Sequence, residues 1–274
     1  MGYRDSLKPF LPPFARTAYH SLTTRRRHRE ELKQMTPSAR RLYSLSQMKS
    51  YDSVRLHAET LQAIELTRSA ARRIYGEQWN YYSDALRPEV TQSFEASIDE
   101  LAREKEKIDY LEIGSCRGVS MSVIASILRL RSLLGSLTSL DPYFEDGYVE
   151  GEFGPYQEGI QVAVNKETRD SAFRLYSTLD LSVELREMTS LKGLKQFIPS
   201  GREFDLIYID GSHEKLAPTL DFSLSYSVLR KGGIIMLDDH IWPDVARVKE
   251  LCDGYGTKIH ESWKVACYRF DGAI

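Results

Sequence analysis

Cysteine is scarce in this chain of 274 residues: Cys116, Cys252 and Cys267 form an odd, widely separated set without a CxxC pair. That excludes a disulfide scaffold, supplies no zinc-site spacing and fits a reducing compartment. Long apolar runs are missing as well. No stretch approaches the roughly 20 apolar residues that span a bilayer, and the first residues lack the apolar segment of a signal peptide. The expectation is a soluble, cytoplasmic protein with no membrane partner. Nor does one sign of charge dominate. Against 37 Lys and Arg stand 39 Asp and Glu, a formal net charge of -2, which argues against a nucleic-acid partner.

The charge balance breaks only locally. Residues 1–50 hold eleven Lys or Arg, among them Arg25, Arg26, Arg27 and Arg29, against Asp5, Glu30 and Glu31. A solvated arm and a contact with an anionic ligand or partner both fit that bias. Pro9, Pro12, Pro13 and Pro37 fall in the same stretch, without apolar periodicity. From Ser53 to Tyr75 the pattern turns helical, with Val54, Ala58, Leu61 and Ile64 on one stripe. A second helix is expected after Pro88, where Val90, Phe94, Ile98 and Leu101 recur at three- and four-residue intervals. The chain therefore divides into an N-terminal arm and helical region, 1–99, and a second domain, 100–274.

Beyond residue 100 the period changes. Ile108–Ile113, Leu134 or Ser136 to Leu140, Val183–Glu187, Phe204–Ile209 and Ile234–Leu237 read as strands. Helices are expected over Met121–Leu130, Leu216–Leu229 and Pro243–Leu251, and a final strand pair at Lys258-Ile259 and Val265–Phe270. Strands alternating with helices predict an α/β, three-layer doubly wound, Rossmann-like fold. Its sheet is expected to be mostly parallel and seven-stranded, with the helical N-terminal region as an extension. The long connection from Pro142 to Gln161, rich in Gly, Tyr and acids, has the length of an active-site lid or a surface excursion.

The chemistry-bearing residues gather at strand ends. Glu112-Ile113-Gly114-Ser115-Cys116-Arg117-Gly118 follows the first strand and opens a helix. Its glycines permit a tight turn and close approach to a ligand, but the spacing is not the dinucleotide GxGxxG. Glu112 beneath the loop suits an amino group better than a phosphate. Asp141, closing the second strand, suits two ribose hydroxyls. Ser190, after the third, is a candidate neighbour of a base or ribose, or a simple turn cap. Ile209-Asp210-Gly211-Ser212-His213 and Met236-Leu237-Asp238-Asp239-His240 close two more apolar runs with acids and imidazoles.

Taken in order, Tyr110–Gly118, Asp141, Phe204–Asp210 and Leu229–Asp238 resemble the class I S-adenosylmethionine-dependent methyltransferases over roughly residues 100 to 270. The resemblance implies that S-adenosylmethionine is held by Glu112, Gly114, Ser115 and Gly118 at its methionine end and by Asp141 at its ribose; Ser190 and Asp210 complete the candidate cofactor set. Within that superfamily the chain is similar to the divalent-cation-dependent O-methyltransferases of catechols and macrolide sugars. That similarity implies Asp210, Asp238 and Asp239 as ligands of Mg²⁺, a hard cation that prefers oxygen. A structural alternative stands beside it: Asp238 as a helix cap and Asp239 bonded to local backbone.

His213, three residues past Asp210, is the candidate general base, since imidazole titrates near about 6.5 in water. His240 is a second candidate, and Lys215 a competitor better read as a solvated helix residue. Tyr143, Tyr148, Tyr156 and Trp242 are candidates for the acceptor pocket or for anchoring loops to the core. The expected activity is O-methylation of a hydroxyl on a small polar metabolite or sugar. Metal-independent transfer on the same fold and a non-catalytic nucleotide- or partner-binding module are the alternatives, and a homo-oligomer is compatible with the sequence.

Overall fold

In the computed structural model, residues 54–76, 84–144, 148–150, 160–162 and 164–272 are described; the basic arm and Tyr156 lie outside them. Seven strands form the main sheet: β1 (Ile108–Ile113), β2 (Leu134–Asp141), β5 (Val183–Glu187), β6 (Phe204–Ile209), β7 (Leu229–Leu237), β8 (Thr257–Glu261) and β9 (Ala266–Phe270). Two short strands between β2 and β5, β3 (Tyr148–Glu150) and β4 (Ile160–Val162), pair antiparallel inside the long connection. The helices are α1 (Ala58–Tyr75), α2 (Pro88–Leu101), α3 (Val119–Leu130), α4 (Lys166–Thr178), α5 (Ser190–Ser200), α6 (Ala217–Tyr226) and α7 (Pro243–Tyr255).

The sheet order is β5-β2-β1-β6-β7-β9-β8, parallel except where β9 runs antiparallel to both β7 and β8. The expected three-layer, mostly parallel seven-stranded fold with its helical extension is what the chain adopts. Successive strands step outward from β1 on one side to β2 and β5, then return to β6 on the other. The crevice between β1 and β6 is thus the switch point where open α/β sheets bind ligands.

Period-two alternation divides the strands between two cores. Ile108, Tyr110, Leu206, Tyr208, Ile234 and Met236 face a cluster built from α1 through α4. Leu111, Ile113, Ile207, Ile209, Ile235 and Leu237 face the cluster of α5, α6 and α7. The register pairs Glu112 with Tyr208 and Tyr208 with Met236. The same alternation, carried past the strand ends, puts Glu112, Asp210 and Asp238 on the α1–α4 side of the carboxyl edge.

The N-terminal helices are part of this core. Val90, Phe94, Ile98 and Leu101 of α2 are buried, and α2 packs across β7, β8 and β9 while α1 lies on α3 and α4. Each such side chain contributes about 1.5–3 kcal/mol of burial. Arg131 at the end of α3 pairs with Asp99 and stands 3.6 Å from Glu95, while Glu95 accepts the His57 backbone N–H at 2.8 Å, bracing the start of α1 against α2.

Several boundaries differ from expectation. The helix predicted to reach Leu229 stops at Tyr226, and β7 begins at Leu229 rather than Ile234. Phe204 N–H donates to Val228 O at 2.9 Å and Leu229 pairs with Phe204, so the segment before Ile234 is already in the ladder. Helix α4 had no clear apolar stripe in the sequence and announces itself instead by a cap, Asn165 Oδ1 accepting from Thr168 N. Helix α5 carries both signals: Leu191, Leu194, Phe197 and Ile198 at helical spacing, and a cap in which Thr189 Oγ1 accepts from Lys192 N. No helix among the described residues is long and apolar enough to cross a membrane, and the three cysteines are free thiols.

Candidate functional site

The loop after β1 is fixed from below and from both sides. Gly114 N donates to Leu140 O at 2.9 Å, and Asp210 N donates to Ile113 O at 2.8 Å, which closes the ends of β1, β2 and β6 on one another. Gly114 has φ +82°, and a Cβ there would lie 2.0 Å from the Asp210 carbonyl oxygen, so only glycine fits. Cys116, Tyr143 and Asp239 also hold positive φ, near 45°. One follows β1, one follows β2 and one follows β7. Strained backbone of this kind concentrates at functional edges.

A cavity of about 210 Å³ opens at this edge, lined by Gly114, Ser115, Cys116, Arg117, Val119 and Ser120 from the loop and α3, with Tyr208, Asp210, Lys264, Ala85 and Val90 opposite. Its far wall is therefore supplied in part by the N-terminal helical region.

Glu112 is wholly buried and does not line the cavity itself. Ser120 Oγ, which does, donates to Glu112 Oε1 at 2.6 Å, and Tyr110 Oη donates to Oε2 at 2.6 Å. Burial pushes the Glu112 carboxyl up to about 7; the two hydroxyls pull it down, and the negative Asp141 and Asp238 push it further up. Asp141, also buried, accepts the backbone N–H groups of Cys116 at 2.8 Å and Tyr143 at 3.1 Å. Burial raises it to about 6 against those two bonds. It ties the glycine loop to the β2 loop with lone pairs to spare, since a carboxylate offers about four acceptor sites. Ser115 Oγ meets Ser139 Oγ at 2.5 Å and Tyr143 Oη at 3.2 Å.

The Ser190 hydroxyl donates to Asp221 of α6 at 2.5 Å. Asp221 is raised to about 6 by burial and lies against Gly211, where its Oδ2 would be 3.0 Å from an added Cβ.

Asp210, His213 and Asp238 converge, each offering a ligand atom within 4.8 Å of the others. His213 Nε2 is 3.6 Å from Asp210 Oδ1 and 3.9 Å from Asp239 Oδ2, and its ring lies 5.5 Å from that of Trp242. Asp239 is one step outside the trio. Asp238 is fully buried and accepts the Tyr208 hydroxyl at 2.5 Å on Oδ1. On its other oxygen stands a cation that the sequence did not announce: Lys264 Nζ, 2.7 Å from Asp238 Oδ2 and 3.6 Å from Asp239 Oδ1. Burial and the neighbouring Asp238 hold Asp210 well above the usual carboxylate range, whereas Asp238 is held below it, its own desolvation outweighed by Lys264 and by hydrogen bonds from Asp210, Lys264 and Tyr208.

His240 is 4% exposed, and its Nε2 meets the Ser262 carbonyl at 2.9 Å. Burial lowers its pKa, so the neutral ring donates to that carbonyl. Lys215 bonds through its backbone N–H to Asp244 at 2.7 Å.

Residues 111–240 match the family model described as a methyltransferase domain. The architecture is a Rossmann-like α/β methyltransferase fold with a mostly parallel seven-stranded sheet and an N-terminal helical extension. Among solved structures of that methyltransferase fold, the O-methyltransferase NovP superposes with a TM-score of 0.56 at 15% identity, over 78% of this chain and all of its own. A putative O-methyltransferase from Klebsiella pneumoniae gives 0.51 at 15% identity, over 81% of this chain and 93% of its own. An uncharacterized protein of Acanthamoeba polyphaga mimivirus, R132, is 26% identical over 143 residues, 50% of this chain and 53% of that one. The chain thus spans about half the length of that curated relative. At these identities the structural likeness is one of methyltransferase fold alone.

Proposed function

We propose that this chain is an S-adenosylmethionine-dependent O-methyltransferase, assisted by Mg²⁺, that methylates a hydroxyl of a small polar metabolite or sugar. One observation carries the reading: Asp210, His213 and Asp238 converge at the switch-point crevice, and Asp210 lines the same cavity as the glycine loop. The two fold relatives, the O-methyltransferase NovP and the Klebsiella pneumoniae protein described as a putative O-methyltransferase, support oxygen as the acceptor atom.

The donor set fits both groups. Gly114, Ser115 and Gly118 frame the place for the methionine end of the cofactor, with Glu112 acting on its amino group through or beside Ser120, and Asp141 serves the ribose. Ser190 completes the cofactor set as a neighbour of the base or ribose, its hydroxyl held by Asp221 behind Gly211. Asp210, Asp238 and Asp239 provide the oxygen ligands a hard cation prefers. When bound, the cofactor supplies an electrophilic methyl group, and the cation supplies acidification and orientation of the acceptor hydroxyl.

The chain does the rest. His213, beside two of the acids, takes the hydroxyl proton on Nε2, where Asp210 and Asp239 steady the resulting charge. Trp242 flanks its ring, and Val90 and Ala85 limit water around the acceptor. His240, committed to the Ser262 carbonyl, shapes the loop instead of moving protons. Metal-independent transfer is the second reading, favoured by one specific contact: Lys264 already neutralises Asp238.

The test is a transfer assay with methyl-labelled cofactor across sugar and phenol acceptors, after chelation and after Mg²⁺ is restored. Labelled product with S-adenosylhomocysteine, lost on chelation and recovered with Mg²⁺, is the expected result. Cofactor binding without turnover on any acceptor class would overturn the catalytic reading; turnover indifferent to chelation would overturn the Mg²⁺ part alone.

A further inference from the structure

We propose that Lys264 is a resident counter-ion that competes with the divalent cation for Asp238 and Asp239, so that the cation binds only when the lysine leaves. The inference rests on the reading above, in which those acids hold Mg²⁺.

Neither oxygen of Asp238 is idle. Oδ1 holds the Tyr208 hydroxyl at 2.5 Å and Oδ2 holds Lys264 Nζ at 2.7 Å, while the carboxylate is fully buried. Each oxygen keeps a further acceptor site, but a divalent cation arriving at this buried carboxylate would stand against the Lys264 ammonium 2.7 Å from Oδ2, and like charges repel strongly there, so one partner must give way. Tyr208 is the harder to move, because it is a residue of β6 whose ring packs edge-on against Phe94 at 5.4 Å. Lys264 is the easier: its ammonium sits at the end of a flexible four-carbon stem, and its side chain lines the cavity into which it would swing.

The backbone of Lys264 is nevertheless fastened to the acid loop. His240 N donates to Lys264 O at 3.3 Å and His240 Nε2 to Ser262 O at 2.9 Å. Ser262 in turn closes the β8–β9 turn, accepting from Val265 N at 2.9 Å on its hydroxyl and donating its own N–H to Val265 O at 2.8 Å. The turn keeps the root of the lysine beside Asp238 and Asp239 while leaving its tip able to move. His240 thereby gains a role as a positioning residue for that root. A buried pair of opposite charges is weakly screened, so the ammonium is a real rival for a cation at the same oxygens.

The experiment measures binding of Mn²⁺ alone by the resonance signal of the free ion, using the full chain as wild type, Lys264→Met and Lys264→Arg. Binding of S-adenosylhomocysteine serves as the folding control. Lys264→Met is expected to bind Mn²⁺ roughly tenfold or more tightly than wild type, a modest share of what removing one partner of a buried charge pair changes, and Lys264→Arg to stay near wild type. Equal affinity in wild type and Lys264→Met overturns the competition while leaving the cation site standing. Absence of Mn²⁺ binding in all three, with S-adenosylhomocysteine still bound, overturns the cation site and the competition with it. Should Lys264→Met fail to fold, Lys264→Gln is compared by thermal unfolding: a larger Mn²⁺-induced rise in melting temperature than in wild type supports the competition, and an equal or smaller one overturns it.

Discussion

Gly114 lies against the backbone of Asp210 so closely that a methyl group on its Cα would stand 2.0 Å from the Asp210 carbonyl oxygen and 2.6 Å from its carbonyl carbon. Both obstacles are backbone, so no side-chain rotation relieves them. The loop after β1 and the acid after β6 are in effect one unit.

Gly114→Ala is therefore expected to destabilise the chain by roughly 2–5 kcal/mol, combining the left-handed backbone of a non-glycine residue with overpacking. Gly201 is the control. It too has positive φ, +66°, but nothing lies within 4 Å of its added Cβ, so Gly201→Ala should cost about 1–2 kcal/mol. Denaturant unfolding of both variants checks the difference, and comparable losses would refute the contact argument.

Glu112 makes stability depend on pH with a definite sign. Its carboxyl is raised from 4.5 to about 7 in the folded chain, burial being the main cause. Between those values the folded state holds a proton that the unfolded state has released. The contribution of Glu112 is thus fully present below the unfolded value and declines as pH rises through the window, by on the order of 3 kcal/mol. Asp141 and Asp221 shift in the same direction, so the comparison must be between proteins. Glu112→Gln should flatten the profile of unfolding free energy from pH 5 to 8 relative to wild type; parallel profiles would remove Glu112 as the source.

The two imidazoles should separate in kinetics and stability. Under the proposed function, His213→Gln lowers kcat by about 10²–10⁴-fold, the usual worth of a general base, with the unfolding midpoint near that of wild type. His240→Gln should instead lower stability by about 1–3 kcal/mol through the buried Ser262 carbonyl, with a smaller effect on kcat. Steady-state kinetics and thermal unfolding of the pair check the assignment, which fails if the two patterns are exchanged.

The strands were legible because alternation and burial coincide in them: β1, β5 and β6 begin and end at the residues expected from apolar pattern alone. The acids at their carboxyl ends were legible for the same reason, since a buried run that stops on Asp141, Asp210 or Asp238 delivers that acid to the sheet edge. Helix α4 was not. Its buried positions are Thr168, Ser171, Ala172, Leu175 and Tyr176, small or polar enough that no hydrophobic stripe stands out, and Asn165 was the available signal. Lys264 was hidden for a different reason. It meets Asp238 because β9 folds back antiparallel on β7, pairing Ala266 with Leu237, and no local pattern links positions so far apart. The partner of Ser190 was hidden for the same reason: Asp221 lies on α6, the next helix, and reaches the carboxyl edge of β6 against Gly211.

Helix α2 does two things with adjacent turns. Val90 walls the cavity, and Phe94, one turn on, braces the Tyr208 ring whose hydroxyl holds Asp238. A substitution that reshapes the cavity from this helix is felt by the hydrophobic core and by the acid pair together. Divergence toward new acceptors along α2 is consequently constrained to paired changes, in which a residue facing the cavity and its support beneath Tyr208 drift in concert.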